Sequence, residues 1–253
     1  MQRLSPTTWL VQERFRFLYL VEIGANCLVV KVPRAAGSGP NSGSFLLVLN
    51  PPPITSSALA SLRAIEAEAS ARVEVIVSPG DWHHFSLPAA AAAFPEAALY
   101  CVERCVRKQP SLKGRAHVLD PRAPAVPELG DSVVLMALDG FSQDNMPWLM
   151  SGEPRGAPRV ELVALDRGSG TLFINDHIFA PSAPGALPAC NTGGFRVRDA
   201  AAAAASLARV AALGAERALF AHQPFPSCLL APAGGAAALA RILADAHKGF
   251  FAK

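Results

Sequence analysis

The sequence predicts one α/β domain over residues 1–253, with two central β-sheets and helices outside them. Two observations predict this class. Apolar residues make up 51% of the chain and charged residues only 17%, which provides a sizeable core and excludes a disordered chain. The apolar segments also form two strand-rich halves, each followed by a helix, as is typical of layered α/β folds. No repeat or linker marks a further domain.

Short runs rich in Val, Leu, Ile and Phe predict the strands of the first half. The run at residues 73–77 is typical of a parallel strand covered on both faces. Leu59, Leu62 and Ile65 recur at the spacing of one helical face, in a helix that Ser56 or Ser57 caps. The Gly-rich segment 37–43 predicts a hairpin loop. The predicted strands are residues 15–19, 25–32, 44–49, 73–77 and 98–102.

The second half contains the clearest hairpin, in which residues 159–166 and 171–174 flank a Gly-containing turn. Asp199 caps a helix that follows the hairpin, and a strand at 217–221 precedes the last helix. The irregular stretch 139–158 either covers the core or forms an apolar wall for a ligand. Its large apolar residues are Met146, Trp148, Leu149 and Met150.

Charge and hydropathy exclude two classes of partner. The net charge is +3 without a run of either sign, which argues against a nucleic-acid binder. The mean hydropathy is +0.27, but no apolar run approaches the roughly 20 residues that cross a bilayer. The N-terminus lacks the apolar block of a signal peptide, and five cysteines without a zinc-knuckle spacing indicate reduced thiols. We expect a cytoplasmic protein that binds a small molecule, with its oligomeric state left open.

Polar side chains follow four apolar strands, at the point where each strand ends. Strand ends of one sheet converge in space, and His and Asp are metal ligands, so this shared placement predicts a metal site. A single histidine of this kind is more often a loop residue, and an Asp before Gly is more often a turn residue. The residues are Asp81, His83, His84, Asp139, Asp176 and His222.

The order of segments from about residue 25 to residue 246 resembles that of the metallo-β-lactamase fold superfamily. Residues 79–84 lie where that superfamily has His-x-His-x-Asp-His. The segment Thr171 to Phe179 is similar to the part of hydroxyacylglutathione hydrolases whose Asp bridges two metals, and His222 matches the family's final His ligand. The resemblance implies a four-layer αββα sandwich and a metal-dependent hydrolase.

Departures from the family pattern imply an altered metal site. Pro79, Asp81 and Asp139 stand where the first metal has its histidines. A site left with Asp81, Asp139 and Asp176 has only oxygen ligands, which suit a hard cation better than zinc. Three imidazoles and one carboxylate suit one Zn²⁺ or Fe²⁺ ion at the second metal position. The resemblance implies these ligands for that ion: His83, His84, Asp176 and His222. The alternative is an empty pocket.

A metal-bound water would hydrolyse an ester, a thioester or a related carbonyl compound. Asp81 lies two positions before the retained histidines and is the expected general base. The alternative is an inactive scaffold that binds a small molecule or a protein. Pro79 supports the scaffold because proline has no ligand atom in its side chain. Asp176 and His222 speak against it, because buried charges are costly when unpaired.

Overall fold

The computed structural model describes residues 1–17, 21–34, 43–143, 154, 156–183 and 185–252. Residues 37–42 of the predicted hairpin loop, and Met146, Trp148, Leu149 and Met150, lie outside these ranges. The chain divides into two compact units, and the prediction of a single domain stays a prediction. The first unit comprises Met1–Asp120, Ala125–Val134 and Asp166–Ser169; the second comprises Pro121–Pro124, Leu135–Leu165 and Gly170–Lys253.

A seven-stranded sheet with its strands in chain order forms the centre of the first unit. Strands β1 to β4 are antiparallel, and β4 to β7 are parallel. Three strands have the bounds that the sequence predicts, because each is a short run of mostly buried apolar residues. The strands are β1 (Gln2–Ser5), β2 (Thr8–Phe17), β3 (Val21–Pro33), β4 (Ser44–Leu49), β5 (Val73–Val77), β6 (Ala98–Val102) and β7 (Ala116–Leu119).

Three helices accompany this sheet. They are α1 (Ser56–Ala69), α2 (Leu87–Ala93) and α3 (Glu103–Lys108). The face of α1 that carries Leu62 and Ile65 is buried, as its periodicity predicts. Its cap is Thr55 and not Ser56 or Ser57. Thr55 has extended backbone angles, and its hydroxyl accepts a hydrogen bond from the Ala58 backbone N–H at 3.0 Å.

A five-stranded sheet in the order β16-β15-β11-β10-β8 runs through the second half of the chain. The predicted hairpin is confirmed as β10 and β11, although β10 begins at Leu162 rather than Arg159. Strands β11 and β15 are parallel, with Ile174 paired to Phe220. The bounds are β8 (Val133–Ala137), β9 (Phe141–Ser142), β10 (Leu162–Asp166), β11 (Thr171–Ile174), β12 (Ile178–Phe179), β13 (Ala189–Cys190), β14 (Arg196–Val197), β15 (Arg217–Phe220) and β16 (Leu229–Leu230).

Among the described residues, two α-helices lie in the second unit, α4 (Ala200–Ala211) and α5 (Gly235–His247). Asp199 caps α4 as predicted, because its carboxylate accepts the Ala202 backbone N–H at 3.0 Å. In the described part of the chain, no helix has the length and apolar composition that crossing a bilayer requires. The mixture of sheets and helices confirms the predicted α/β class.

Candidate metal site

Asp176 and His222 come together in the second unit because their strands are parallel neighbours. Ile174 pairs with Phe220, and the Ala221 backbone N–H donates to the Ile174 carbonyl at 3.1 Å. Asp176 and His222 therefore leave the sheet at the same level, two residues past the paired residues. The Asp176 Oδ1 atom lies 2.6 Å from His222 Nε2. A carboxylate oxygen and an imidazole nitrogen so close together are a candidate pair of metal ligands.

Arg159 contacts the other carboxylate oxygen of Asp176. Its Nη2 atom lies 2.9 Å from Oδ2, and its side chain is 2% exposed. The guanidinium carbon lies 4.8 Å from the centre of the Phe195 ring, which is a cation–π distance. Because an arginine side chain is always charged, Arg159 neutralises Asp176 without a metal ion.

Glu161 binds the backbone of the segment that carries Asp176. Its Oε1 atom accepts hydrogen bonds from the backbone nitrogens of Asp176 and His177, each at 3.0 Å. The same oxygen lies 2.7 Å from Nδ1 of His177. Glu161 and His177 are both fully buried. Two successive N–H groups that point at one oxygen form a small anion-binding turn, and this turn fixes where Asp176 leaves the strand.

A second buried imidazole lies beside His177. The rings of His177 and His247 are 5.7 Å apart between centres. Burial lowers the pKa of each of them to about 3. Both imidazoles are therefore neutral at pH 7, and the hydrogen bond to Glu161 assigns the His177 proton to Nδ1.

Asn50 orients His83 in the first unit. The Asn50 amide donates to the Asn26 carbonyl at 2.8 Å, so its oxygen faces Nδ1 of His83 at 2.7 Å as an acceptor. His83 therefore carries its proton on Nδ1 and its lone pair on Nε2, the form in which an imidazole binds metal. Asn50 has a φ of 57°, which asparagine tolerates better than most residues.

His84 has a different environment from His83, although the two are adjacent in sequence. The His84 ring is mostly buried, and its Nδ1 atom lies 3.0 Å from Nε2 of Gln109. Burial lowers the pKa of His84 to about 4, and the positive charge of Lys108 lowers it further. His84 is therefore a neutral imidazole whose Nδ1 accepts a hydrogen bond from the Gln109 amide.

The structure gives Asp81 and Asp139 partners of their own. Asp81 is fully buried and lies 2.5 Å from Nη1 of Arg104, which is 9% exposed. This buried ion pair holds the loop after β5, and the role of Asp81 as general base stays a prediction. Asp139 is exposed and contacts Arg209 at 3.3 Å, as a surface ion pair. The role of Asp139 as a metal ligand stays a prediction.

Arg159 and Glu161 are the functional residues that sequence reasoning missed. The sequence assigns both of them to the first strand of the hairpin, whereas they precede β10 and point their charges at the Asp176 segment. One signal was present: two opposite charges, two residues apart, lead directly into an otherwise apolar strand. Alternate residues of an extended chain share a face, so this spacing places both side chains on one side.

Solved structures with the same fold include several metallo-β-lactamases. FIM-1 from Pseudomonas aeruginosa, in its mono-zinc form, is 12% identical with a TM-score of 0.59, over 98% of this chain and 93% of that one. An enzyme from Erythrobacter litoralis with β-mercaptoethanol in its active site is 15% identical with a TM-score of 0.61, over 98% and 95%. A third, from Pontibacter korlensis, is 12% identical with a TM-score of 0.55, over 98% and 97%.

No family model matches the chain, and no curated protein matches it. The similarity to hydroxyacylglutathione hydrolases that residues 171–179 indicate stays a prediction. The structural similarity extends over almost the whole length of the chain and of the proteins that it matches. The chain therefore has the metallo-β-lactamase fold.

Proposed function

We propose that this protein is a metal-dependent hydrolase that uses one divalent ion to cleave an ester, a thioester or a related carbonyl compound. The observation that carries the proposal is the contact between Asp176 Oδ1 and His222 Nε2 at the ends of neighbouring parallel strands. The two atoms face each other from a rigid frame, and a metal site requires such a frame. The proposed substrate is a small molecule, and the proposed location is the cytoplasm.

The donor set fits zinc or iron. Imidazole nitrogen and carboxylate oxygen are ligands that both metals accept. Asp176 and His222 are also slightly exposed, at 11% and 19% of their side chains, whereas Glu161 and His177 behind them have no exposed surface. The sequence resemblance assigns His83 and His84 to the same ion. Of the two, His83 has the better-suited form, since Asn50 directs its lone pair to Nε2.

When bound, Zn²⁺ lowers the pKa of a water molecule to about 7 and so supplies hydroxide at neutral pH. The chain's own residues orient the proposed ligands for the ion. Arg159 occupies Oδ2 of Asp176 and leaves Oδ1 to face the ligand position. His222 presents Nε2, which must release any proton that it shares with Asp176 before it can bind a cation. Asp81 has no part in this proposal, because Arg104 holds its carboxylate in the interior.

Metal content and turnover test the proposal together. We expect about one equivalent of zinc or iron in protein purified without chelator, and turnover of at least one compound in a panel of activated esters and thioesters. His222→Ala should lose both. His117→Ala is the matched control, because His117 is exposed and stacks on Tyr100, 4.9 Å away. Metal well below one equivalent after addition of Zn²⁺ or Fe²⁺, or unchanged turnover in His222→Ala, would contradict the proposal.

One observation favours a second candidate, a metal-free binding scaffold. Arg159 and His222 already satisfy Asp176, and Arg104 already satisfies Asp81. The cost of unpaired buried charge, which spoke against a scaffold, is therefore absent. A scaffold should keep its ligand when His84 and His222 are both replaced by alanine, whereas a hydrolase should lose metal and turnover.

A further inference from the structure

Glu161 binds the backbone of the proposed metal ligand Asp176 through its side chain. Its Oε1 atom accepts the backbone N–H groups of Asp176 and His177 and the Nδ1–H group of the His177 ring, at 3.0, 3.0 and 2.7 Å. The residue has no exposed surface. A buried carboxylate that collects hydrogen bonds from three nitrogens of one segment is an organised feature rather than a chance contact.

The position of Glu161 in the chain explains this contact. Its backbone carbonyl accepts the Leu138 N–H at 2.9 Å, next to the start of β10. Strand β10 is paired with β11, which ends at Ile174. The Glu161 side chain therefore starts from a fixed strand end and reaches the turn that follows the neighbouring strand. Buried backbone N–H groups need a partner, and both N–H groups of this turn have one in Glu161 Oε1.

We infer that Glu161 is a positioning residue for metal binding, and this inference rests on the proposed function. Glu161 sets the direction in which the Asp176 side chain leaves β11, so that Oδ1 faces His222 at 2.6 Å. Arg159 completes the orientation of Asp176 by binding Oδ2 of its carboxylate. Glu161 therefore orients Asp176 through its backbone, and Arg159 orients it through its side chain.

The role of Glu161 depends on the position of its acceptor oxygen. Oε1 accepts a hydrogen bond from each of the two backbone N–H groups at 3.0 Å. It also fixes the tautomer of His177, so that this imidazole cannot donate from Nε2 at the same time. Glutamine in its place keeps an acceptor oxygen at the same distance and loses the charge, whereas alanine removes the acceptor and leaves the turn without it.

Titration of the metal-free protein with Zn²⁺ alone tests the inference, with the dissociation constant as the readout. Glu161→Ala should weaken binding about 10- to 100-fold, the usual effect of removing a group that orients a ligand. Glu161→Gln should bind within about threefold of wild type, because the acceptor is restored without the charge. If the alanine variant does not fold, Glu161→Asp, which withdraws the carboxylate by one methylene, should show the same weakening.

Glu66 provides the matched control, as a second buried glutamate that accepts a backbone N–H. Its Oε1 atom accepts from Val73 at 2.9 Å, and its Oε2 atom pairs with Arg63. Glu66→Ala should lower stability and leave the zinc dissociation constant unchanged. Equal weakening in Glu66→Ala and Glu161→Ala, or none in Glu161→Ala, would overturn the inference alone. A wild-type protein that binds no Zn²⁺ would overturn the proposed function, and the inference with it.

Discussion

Asp176 and His222 lie at the same level of two parallel strands, with a carboxylate oxygen 2.6 Å from an imidazole nitrogen. The register between β11 and β15 produces this contact, since Ile174 and Phe220 are paired two residues earlier. Arg159 holds the other oxygen of the same carboxylate. The stability of the second unit therefore depends on a buried charge pair as well as on its apolar core.

Removal of Asp176 should destabilise the protein strongly. Asp176→Ala leaves the Arg159 guanidinium without this carboxylate in a site where it is 2% exposed. Breaking a buried ion pair from one side costs about 3–5 kcal/mol. Urea unfolding should measure this loss. The double variant with Arg159→Met should cost less than the sum of the two single variants, because no buried charge is then left over. A loss below about 1 kcal/mol in Asp176→Ala would contradict the buried ion pair.

Asp81 should behave as a structural residue. Asp81→Ala removes the partner of Arg104 and should cost about 3–5 kcal/mol of unfolding free energy because the carboxylate is fully buried. If Asp81 is instead a general base, Asp81→Ala should lower turnover by about 10²- to 10⁴-fold and leave the free energy of unfolding unchanged. Unfolding and turnover measured on the same preparation separate the two roles. Arg104→Met should reproduce the stability loss if the ion pair is its cause.

Acid should destabilise the protein through its buried histidines. Burial lowers the pKa of His247 to about 3, whereas an unfolded histidine has a pKa of about 6.5. Between these values the unfolded state binds the extra proton, so the free energy of unfolding falls as the pH falls from about 6.5 towards 3. One proton corresponds to a slope of about 1.4 kcal/mol per pH unit.

His247→Phe isolates the contribution of this histidine. The ring of His247 lies beside that of His177, which also packs edge-on against Phe195, so an aromatic ring suits this part of the core. The variant should unfold at lower pH than wild type, with a slope shallower by about one proton between pH 4 and 6. His117→Phe, at an exposed position, should leave the slope unchanged. Equal acid midpoints for wild type and His247→Phe would show that His247 is not buried in its neutral form.

Gly140 should not tolerate a side chain. Its φ is 82°, and a Cβ atom there would lie 2.3 Å from the Ala203 backbone nitrogen and 2.5 Å from the Asp199 carbonyl oxygen. Gly140→Ala therefore has to displace the first turn of α4 and should lower the melting temperature sharply. Gly214→Ala is the control, because its φ is 75° but no atom lies within 4 Å of the added Cβ. It should cost only the roughly 1–2 kcal/mol of the left-handed conformation. Equal losses of stability in Gly140→Ala and Gly214→Ala would contradict the close approach of Gly140 to the first turn of α4.

The sequence by itself determined several elements and predicted that Asp176 and His222 lie close together. Short runs of mostly apolar residues set the bounds of β4, β5 and β6, because a strand covered on both faces needs little more than such a run. The predicted strands 15–19 and 25–32 differ in their bounds from β2 and β3. Polar residues directly after the strands identified Asp176 and His222 as neighbours. The cap of α1 is Thr55 instead of the predicted Ser56 or Ser57, because all three side chains carry a hydroxyl group and only the backbone angles identify the cap.

Only the tertiary structure decided which charges are neutralised in the interior. Sequence spacing cannot pair Asp81 with Arg104 or Asp176 with Arg159, because each pair joins residues on different elements. The same holds for Glu161, whose three hydrogen bonds cross from one strand end to the next. Hydrophobic periodicity reports which face of an element is buried, and the partner of a buried charge depends on how the elements pack.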